Sequence, residues 1–150
     1  MELRGRALPL GGAAARRGEA VCVLGHPMPD ILGQEVKATF GRVNALSGAR
    51  GDGRFLQIDA AIQPGSSGGP VLNALGEVVG MATRSADEAL IRRKYRATPQ
   101  NVNYALKGEY LIRAMRLAGL VPEGRGADGP REWPDLLEDC REWTVLIMVR

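Results

Sequence analysis

A chain of 150 residues fits about one domain with room for a real core, and its 45% apolar and 25% charged content is that of an ordinary globular protein. The net charge of +3 is too small to argue for nucleic acid, and no dense Lys/Arg run supports it. Twenty glycines and nine prolines, against two Trp, three Tyr and two Phe, suit short strands joined by turns better than a helical bundle.

The start, Met1 to Arg17, combines basic residues with the stretch Ala7 to Ala15, but Pro9, Gly11 and Gly12 interrupt any signal-peptide core. It reads as part of the folded chain or as a frayed lead-in. No apolar run approaches the roughly 18 to 20 residues that a membrane helix needs. The compartment is left open, with the cytoplasm favoured. Two buried thiols are expected of Cys22 and Cys140, which lie far apart, with one disulfide as the alternative. With a single histidine and no CxxC pair, a structural zinc site is not expected.

Residues 19–26 read as a buried strand that ends at a turn built by Gly25, Pro27, Pro29 and Gly33. His26, at that strand end, is weighed as a catalytic base, but packing or hydrogen bonding is its default role. From Gln34 to Leu46 the apolar residues alternate through Val36, Ala38 and Phe40, then Val43 and Ala45. This predicts a half-buried strand with a bulge at Gly41. Ser47 to Gly53 reads as a hairpin loop and Phe55 to Asp59 as the return strand. Pro70 to Asn73 and Glu77 to Thr83 are the arms of a second hairpin around Ala74 to Gly76. Residues 84–99 read as an exposed, solvated loop with a local basic excess. Asn101 to Leu106 predicts one more strand. Apolar residues recur at helical spacing from Lys107 to Leu120, and Gly119 marks the stop. Val121 to Pro130 reads as a linker, Pro134 to Glu142 as a short helix, and Trp143 to Arg150 as a strongly apolar strand. Such a strand is an aggregation hazard unless paired, so it either packs back or opens a further unit. The domain division expected is 1–120 for the strand domain and 121–150 for linker and tail.

Chemistry concentrates between Gln57 and Pro70, where small residues take over completely from Gly65 to Gly69. A serine held between glycines on a tight turn projects its hydroxyl clear of bulky neighbours, and the N–H groups of such a turn can point at one spot. Acyl transfer needs that arrangement, because charge builds on the carbonyl oxygen in the transition state. Taken alone, Gly-Ser-Ser-Gly-Gly reads first as a surface turn, where these residue types dominate.

The neighbours change that balance. In order along the chain come Leu24-Gly-His-Pro27, Val43-Asn-Ala-Leu46, and Asp59-Ala-Ala-Ile-Gln-Pro-Gly-Ser-Ser-Gly-Gly-Pro-Val-Leu-Asn73. Gly76-Glu-Val-Val-Gly80 and Val102-Asn-Tyr-Ala-Leu106 follow, the last leading into the helix. Over roughly residues 5 to 118 the chain thus resembles the C-terminal barrel of trypsin-like serine peptidases with the chymotrypsin fold, most closely their HtrA-type bacterial branch. The resemblance implies a mainly β fold, a six-stranded antiparallel trypsin-like barrel with a C-terminal helix. It makes Ser67 the nucleophile and gives the N–H groups of Gly65 and Ser67 to the oxyanion hole. Ser66 stands where many relatives carry Asp or Asn, so packing under the turn must differ. Ala61 and Ile62 would lie on the wall leading to the primary specificity pocket. Thr83, Arg84 and Ser85 would form the strand edge that aligns substrate backbone. Asn103, where relatives often carry glycine, would partly fill the pocket base and favour small or medium apolar side chains.

In that family the triad His and Asp come from the first barrel, which precedes the region matched here. His26 corresponds to a loop position and not to the triad position. A serine hydroxyl without an adjacent base is a weak nucleophile, so the chain alone is expected to be at most feebly hydrolytic. The expected partner is an extended peptide or protein substrate. The face that would meet a first barrel is expected to be exposed and apolar, inviting that barrel or a homodimer; neither nucleic acid nor membrane is expected. Two other classes stand beside the peptidase: a non-catalytic peptide-binding module using residues 83–85, and a structural regulator docking through residues 121–150. The intact glycine-serine turn favours the peptidase, because a binding module has no need of an oxyanion hole.

Overall fold

The computed structural model describes residues 8–11, 14–85, 93–94, 96, 100–121 and 126–140, with backbone alone at Arg84, Ser85 and Cys140. The apolar run Ala20–Gly25 forms strand β1, whose residues from Val21 to Gly25 are all buried. A strand buried on both faces must serve two cores. Val21 and Val23 join one apolar cluster, while Cys22 and Leu24 join another.

After β1, a single helical turn α1 (Pro29–Leu32) leads into the long strand β2 (Lys37–Ala45). Strands β3 (Phe55–Ile58), β4 (Pro70–Leu72), β5 (Val78–Ser85) and β6 (Asn103–Lys107) follow. All pairings between these strands are antiparallel, and the order β1-β2-β3-β6-β5-β4 closes on itself as a barrel. The six-stranded antiparallel barrel expected from the sequence is therefore present. Helix α2 (Gly108–Leu117) leaves directly from β6, and helix α3 (Trp133–Cys140) lies further along the chain. Among the described residues no helix is long and apolar enough to cross a membrane.

The bulge expected at Gly41 is elsewhere. Gly41 pairs in unbroken register with Val21, and the register shift of β2 against β3 falls between Val43 and Ala45. Gly41 answers a different need: a Cβ there would collide with the backbone of Ala60 and the Asp59 carboxylate. The chain leaving β3 crosses β2 at that point, and Asp59 Oδ1 accepts the Arg42 N–H. A second shift separates Ala82 from Arg84 in the β5–β6 ladder, which leaves Thr83 as the bulged residue.

Eleven residues, among them Val21, Val43, Leu56, Ile58, Ile62, Val71 and Ala105, fill the barrel interior. The second cluster lies outside β1 and β4 and gathers Cys22, Leu24, Leu72 and Val78 under Leu136 of α3. Leu8, Leu10, Leu111, Trp133 and Leu137 pack against it. Leu136 is only 2% exposed, and burying such a side chain is worth roughly 1.5–3 kcal/mol. Backbone bonds draw this segment onto the β4–β5 turn, from Ala127 N–H to the Leu75 carbonyl (2.9 Å) and from Arg131 N–H to the Ala74 carbonyl (3.0 Å). Residues 126–140, set apart as linker and tail in the sequence reading, thus lie against the barrel. Large exposed apolar side chains occur on α1 (Ile31, Leu32), along β2 and just past it (Phe40, Leu46), and at and beyond the end of α2 (Leu117, Leu120, Val121). Apart from Arg84, Ser85, Arg93, Lys94 and Arg96, the charged loop expected over 84–99 lies outside the described residues, as does the apolar strand expected over 143–150.

Candidate active site

Between β3 and β4 the chain has no strand partner of its own and is shaped by a short series of backbone bonds. Ser66 N–H donates to the Gln63 carbonyl (2.9 Å) and Gly69 N–H to the Ser66 carbonyl (3.1 Å), which curls Gln63 to Gly69 into consecutive tight turns. Gly68 N–H then donates to the Ala82 carbonyl (2.8 Å), and Ala82 N–H to the Gly69 carbonyl (2.9 Å), which fastens the turn to β5. Gly65 sits at φ 95°, in the region that favours glycine. A Cβ there would come within 2.5 Å of the His26 carbonyl oxygen. Glycine at position 65 is thus required by the geometry of the turn as well as suited to it.

The two serines of the turn have opposite environments. Ser66 is buried, at 5% exposure, against the backbone of Gly25. Ser67 is exposed, and its hydroxyl donates to the Thr83 carbonyl at 2.8 Å. That carbonyl belongs to the bulged residue of β5, which the bulge turns toward the serine. The Thr83 side chain is held in its own bond, from Oγ1 to the Tyr104 carbonyl (2.8 Å). The N–H groups of Gly65 and Ser67 make no hydrogen bond among the described residues.

The other residues singled out in the sequence gather along the same side of the barrel. Asn103, 5% exposed at the start of β6, donates its side-chain amide to the Ala60 carbonyl at 2.9 Å. The Ala61 carbonyl accepts Thr39 Oγ1 at 3.1 Å. Ile62, 7% exposed, belongs to the barrel core. Arg84 and Ser85 pair with Tyr104 and Asn103 through their backbones. On the β4 side, the ladder with β5 ends at Pro70 opposite Met81, so among the described residues no strand pairs with that flank of Thr83 to Ser85, where the Thr83 carbonyl accepts the Ser67 hydroxyl.

His26 is buried, at 8% exposure, with Nδ1 bonded to the Gln34 carbonyl at 2.9 Å and no bond to Ser67. Sequence reasoning missed two supports of the site. Thr39 pins Ala61 from the middle of β2, where a threonine looks like an ordinary strand residue. Met28 donates its N–H to the Pro64 carbonyl at 2.8 Å from a left-handed backbone (φ 43°), a conformation its identity does not announce. Among the described residues no three His, Cys, Asp or Glu side chains are grouped to hold a metal ion.

Comparison with known proteins agrees with this geometry. Residues 3–81 match the family described as the trypsin-like peptidase domain. The chain is 36% identical over 132 residues to the uncharacterized protein y4bJ of Sinorhizobium fredii, covering 88% of this chain and 21% of that protein. It is 37% identical over 119 residues to the putative serine protease HhoB of Synechocystis, covering 71% and 28%. To the serine endoprotease DegS of Escherichia coli K12 it is 32% identical over 110 residues, covering 72% and 29%. Among solved structures, the serine endoprotease from Yersinia pestis superposes with a TM-score of 0.57 at 28% identity, over 73% of this chain and 34% of that one. The chain therefore spans between about a fifth and a third of the length of these relatives. Barrel, serine turn and relatives agree: this chain belongs to the trypsin-like peptidase family, in its HtrA-type branch.

Proposed function

We propose that this chain carries the nucleophile and the substrate-aligning edge of a serine endopeptidase, with Ser67 Oγ attacking the scissile carbonyl to form an acyl-enzyme. The single observation behind this reading is the Ser67 hydroxyl, exposed and oriented by the Thr83 carbonyl, on a turn whose Gly65 and Ser67 N–H groups are uncommitted. Those two donors are assigned to the oxyanion of the tetrahedral intermediate. In comparable sites one such donor is worth about 3–4 kcal/mol of transition-state stabilisation. An extended peptide adds along the flank of Thr83 to Ser85 that no strand covers among the described residues, with its backbone bonded to β5. Asn103, tied to the Ala60 carbonyl, is assigned to the base of a specificity pocket beside that edge, where it would restrict the pocket to small or medium apolar side chains.

A backbone carbonyl does not take a proton at neutral pH, so the Ser67–Thr83 bond orients the hydroxyl without activating it. His26 is engaged with Gln34 instead. In this reading the general base and its orienting acid come from a first barrel outside these 150 residues, and the chain alone hydrolyses peptides feebly. The test is cleavage of an unfolded protein substrate by the chain joined to a histidine-bearing first barrel. Ser67→Ala is expected to lower the rate by roughly 10^4- to 10^6-fold; an unchanged rate overturns the assignment.

The second reading, a peptide-binding module without catalysis, draws support from the same Ser67–Thr83 bond, which leaves the hydroxyl without a proton acceptor. It predicts saturable binding of extended peptides that persists unchanged in Ser67→Ala, and no cleavage in the joined protein.

A further inference from the structure

The loop from Gly25 to Gln34 lies directly behind the serine turn. A Cβ on Gly25 would sit 2.9 Å from Ser66 Cα, and the His26 carbonyl fills the space beside Gly65. Met28 N–H donates to the Pro64 carbonyl at 2.8 Å. Three neighbouring residues of the loop thus meet Pro64, Gly65 and Ser66, backbone against backbone.

Inside the loop, backbone bonds run from Ile31 and Leu32 N–H to the Met28 carbonyl and from Gly33 N–H to the Pro29 carbonyl, all within Met28 to Gly33, and none of them reaches His26. The helical turn α1 is four residues long, with no side-chain cap, and begins from Met28 in the left-handed region. A non-glycine residue stays in that region only where its surroundings impose it. The β1–β2 ladder closes the loop at Gly25 opposite Lys37, and inside that closure the His26 side chain adds a bond across it, through Nδ1 and the Gln34 carbonyl at 2.9 Å. Because the partner is a carbonyl, Nδ1 carries the hydrogen of this bond. Nε2 is buried and has no hydrogen-bond partner among the described residues. Among the described residues the imidazole therefore makes one bond, and that bond ties His26 to Gln34 across the loop.

We infer that His26 is a positioning residue of the serine turn. Its Nδ1–H···O=C bond to Gln34 clamps residues 26–34, so that the backbones of His26 and Met28 hold Pro64 to Ser66 and keep the Gly65 and Ser67 N–H groups in place. This rests on the proposed reading only in taking those N–H groups as the oxyanion donors. His26 reaches the site through the backbone and touches neither Ser67 nor the proposed peptide track.

The clamp needs a side-chain N–H and not an imidazole as such. Asparagine can supply that donor, whereas leucine matches the bulk without it. The experiment is amide hydrogen exchange, followed by NMR, on the chain as it stands and on His26→Leu and His26→Asn. In His26→Leu, exchange at the Met28 and Ser66 amides should rise by about tenfold, as expected for one lost hydrogen bond, while β3 and β6 keep their protection. His26→Asn should restore most of it. In the chain joined to a first barrel, His26→Leu should lower kcat with KM little changed, and His26→Asn should again rescue. Unchanged exchange at Met28 and Ser66 in His26→Leu overturns the inference, as does an asparagine variant no better than leucine. Loss of protection over the whole barrel also overturns it, because the barrel is expected to stand without the clamp. The exchange readout does not depend on Ser67 chemistry, so failure of the peptidase reading shows separately in the cleavage test.

Discussion

The serine turn and the α3 cover are held to the same barrel by opposite means. The turn is fixed by backbone bonds to β5 and to the loop behind it, with glycine where a side chain would collide, and it leaves Ser67 in solvent. The cover approaches through two backbone bonds to the β4–β5 turn, but helix α3 itself is fixed by side-chain burial, with Leu136 in the second core cluster and Trp133 edge-on to Phe40 at 5.4 Å between ring centroids. Backbone bonding gives directional placement at small cost in exposed area, which suits a reacting group. Apolar burial gives stability with loose directional demands, which suits a lid on the core. Stability and reactivity should therefore separate under mutation.

The largest effect expected is on the chemistry. Ser67→Ala should remove about 10^4-fold or more of the cleavage rate of the joined protein. It should change the unfolding free energy measured in urea by less than about 1 kcal/mol, because it gives up one exposed hydrogen bond. A large loss of stability would make Ser67 a structural residue and erase the contrast. Leu136→Ala should do the reverse, costing about 2–4 kcal/mol in urea unfolding while exchange at the Gly65 to Gly69 amides stays as it was. If those amides loosen too, the two regions are one cooperative unit.

Gly65→Ala sharpens the comparison from the turn's side. A methyl group there meets the His26 carbonyl at φ 95°, at a cost of roughly 1–3 kcal/mol. Calorimetry and cleavage together should show a loss of rate greater than this stability change accounts for. The smallest effect is expected for Trp133→Leu, which keeps bulk on the cover and gives up the edge-to-face pair with Phe40. About 0.5–1.5 kcal/mol should be lost, with no change at the serine turn.

The same contrast decides what could be read in the sequence. The turn was legible because its constraint is local: a glycine, two serines and two more glycines leave few other structures open. Strand β1 was legible from its unbroken apolar run, and α2 from its periodicity, although the helical turns end at Leu117 and Gly119 is left at φ 75°. The bulges were not legible where they occur. Gly41 breaks the alternation but serves the crossing of Asp59 and Ala60, while Thr83, in a smooth apolar-to-polar run, carries the bulge that meets Ser67. Nor did Trp133 to Leu137 announce their place on the barrel, because an amphipathic turn of helix suits many apolar faces equally. The His26–Gln34 bond depends on a loop closure that spacing alone does not encode.

The central claim is that this barrel holds a correctly presented serine whose base comes from elsewhere. Its most direct test is labelling of the chain by a fluorophosphonate, with the modified residue and its stoichiometry read by mass spectrometry. Slow, substoichiometric modification of the chain alone is predicted, rising to rapid stoichiometric labelling at Ser67 when a histidine-bearing first barrel is joined to it. Rapid, stoichiometric labelling of Ser67 in the chain alone would contradict the account.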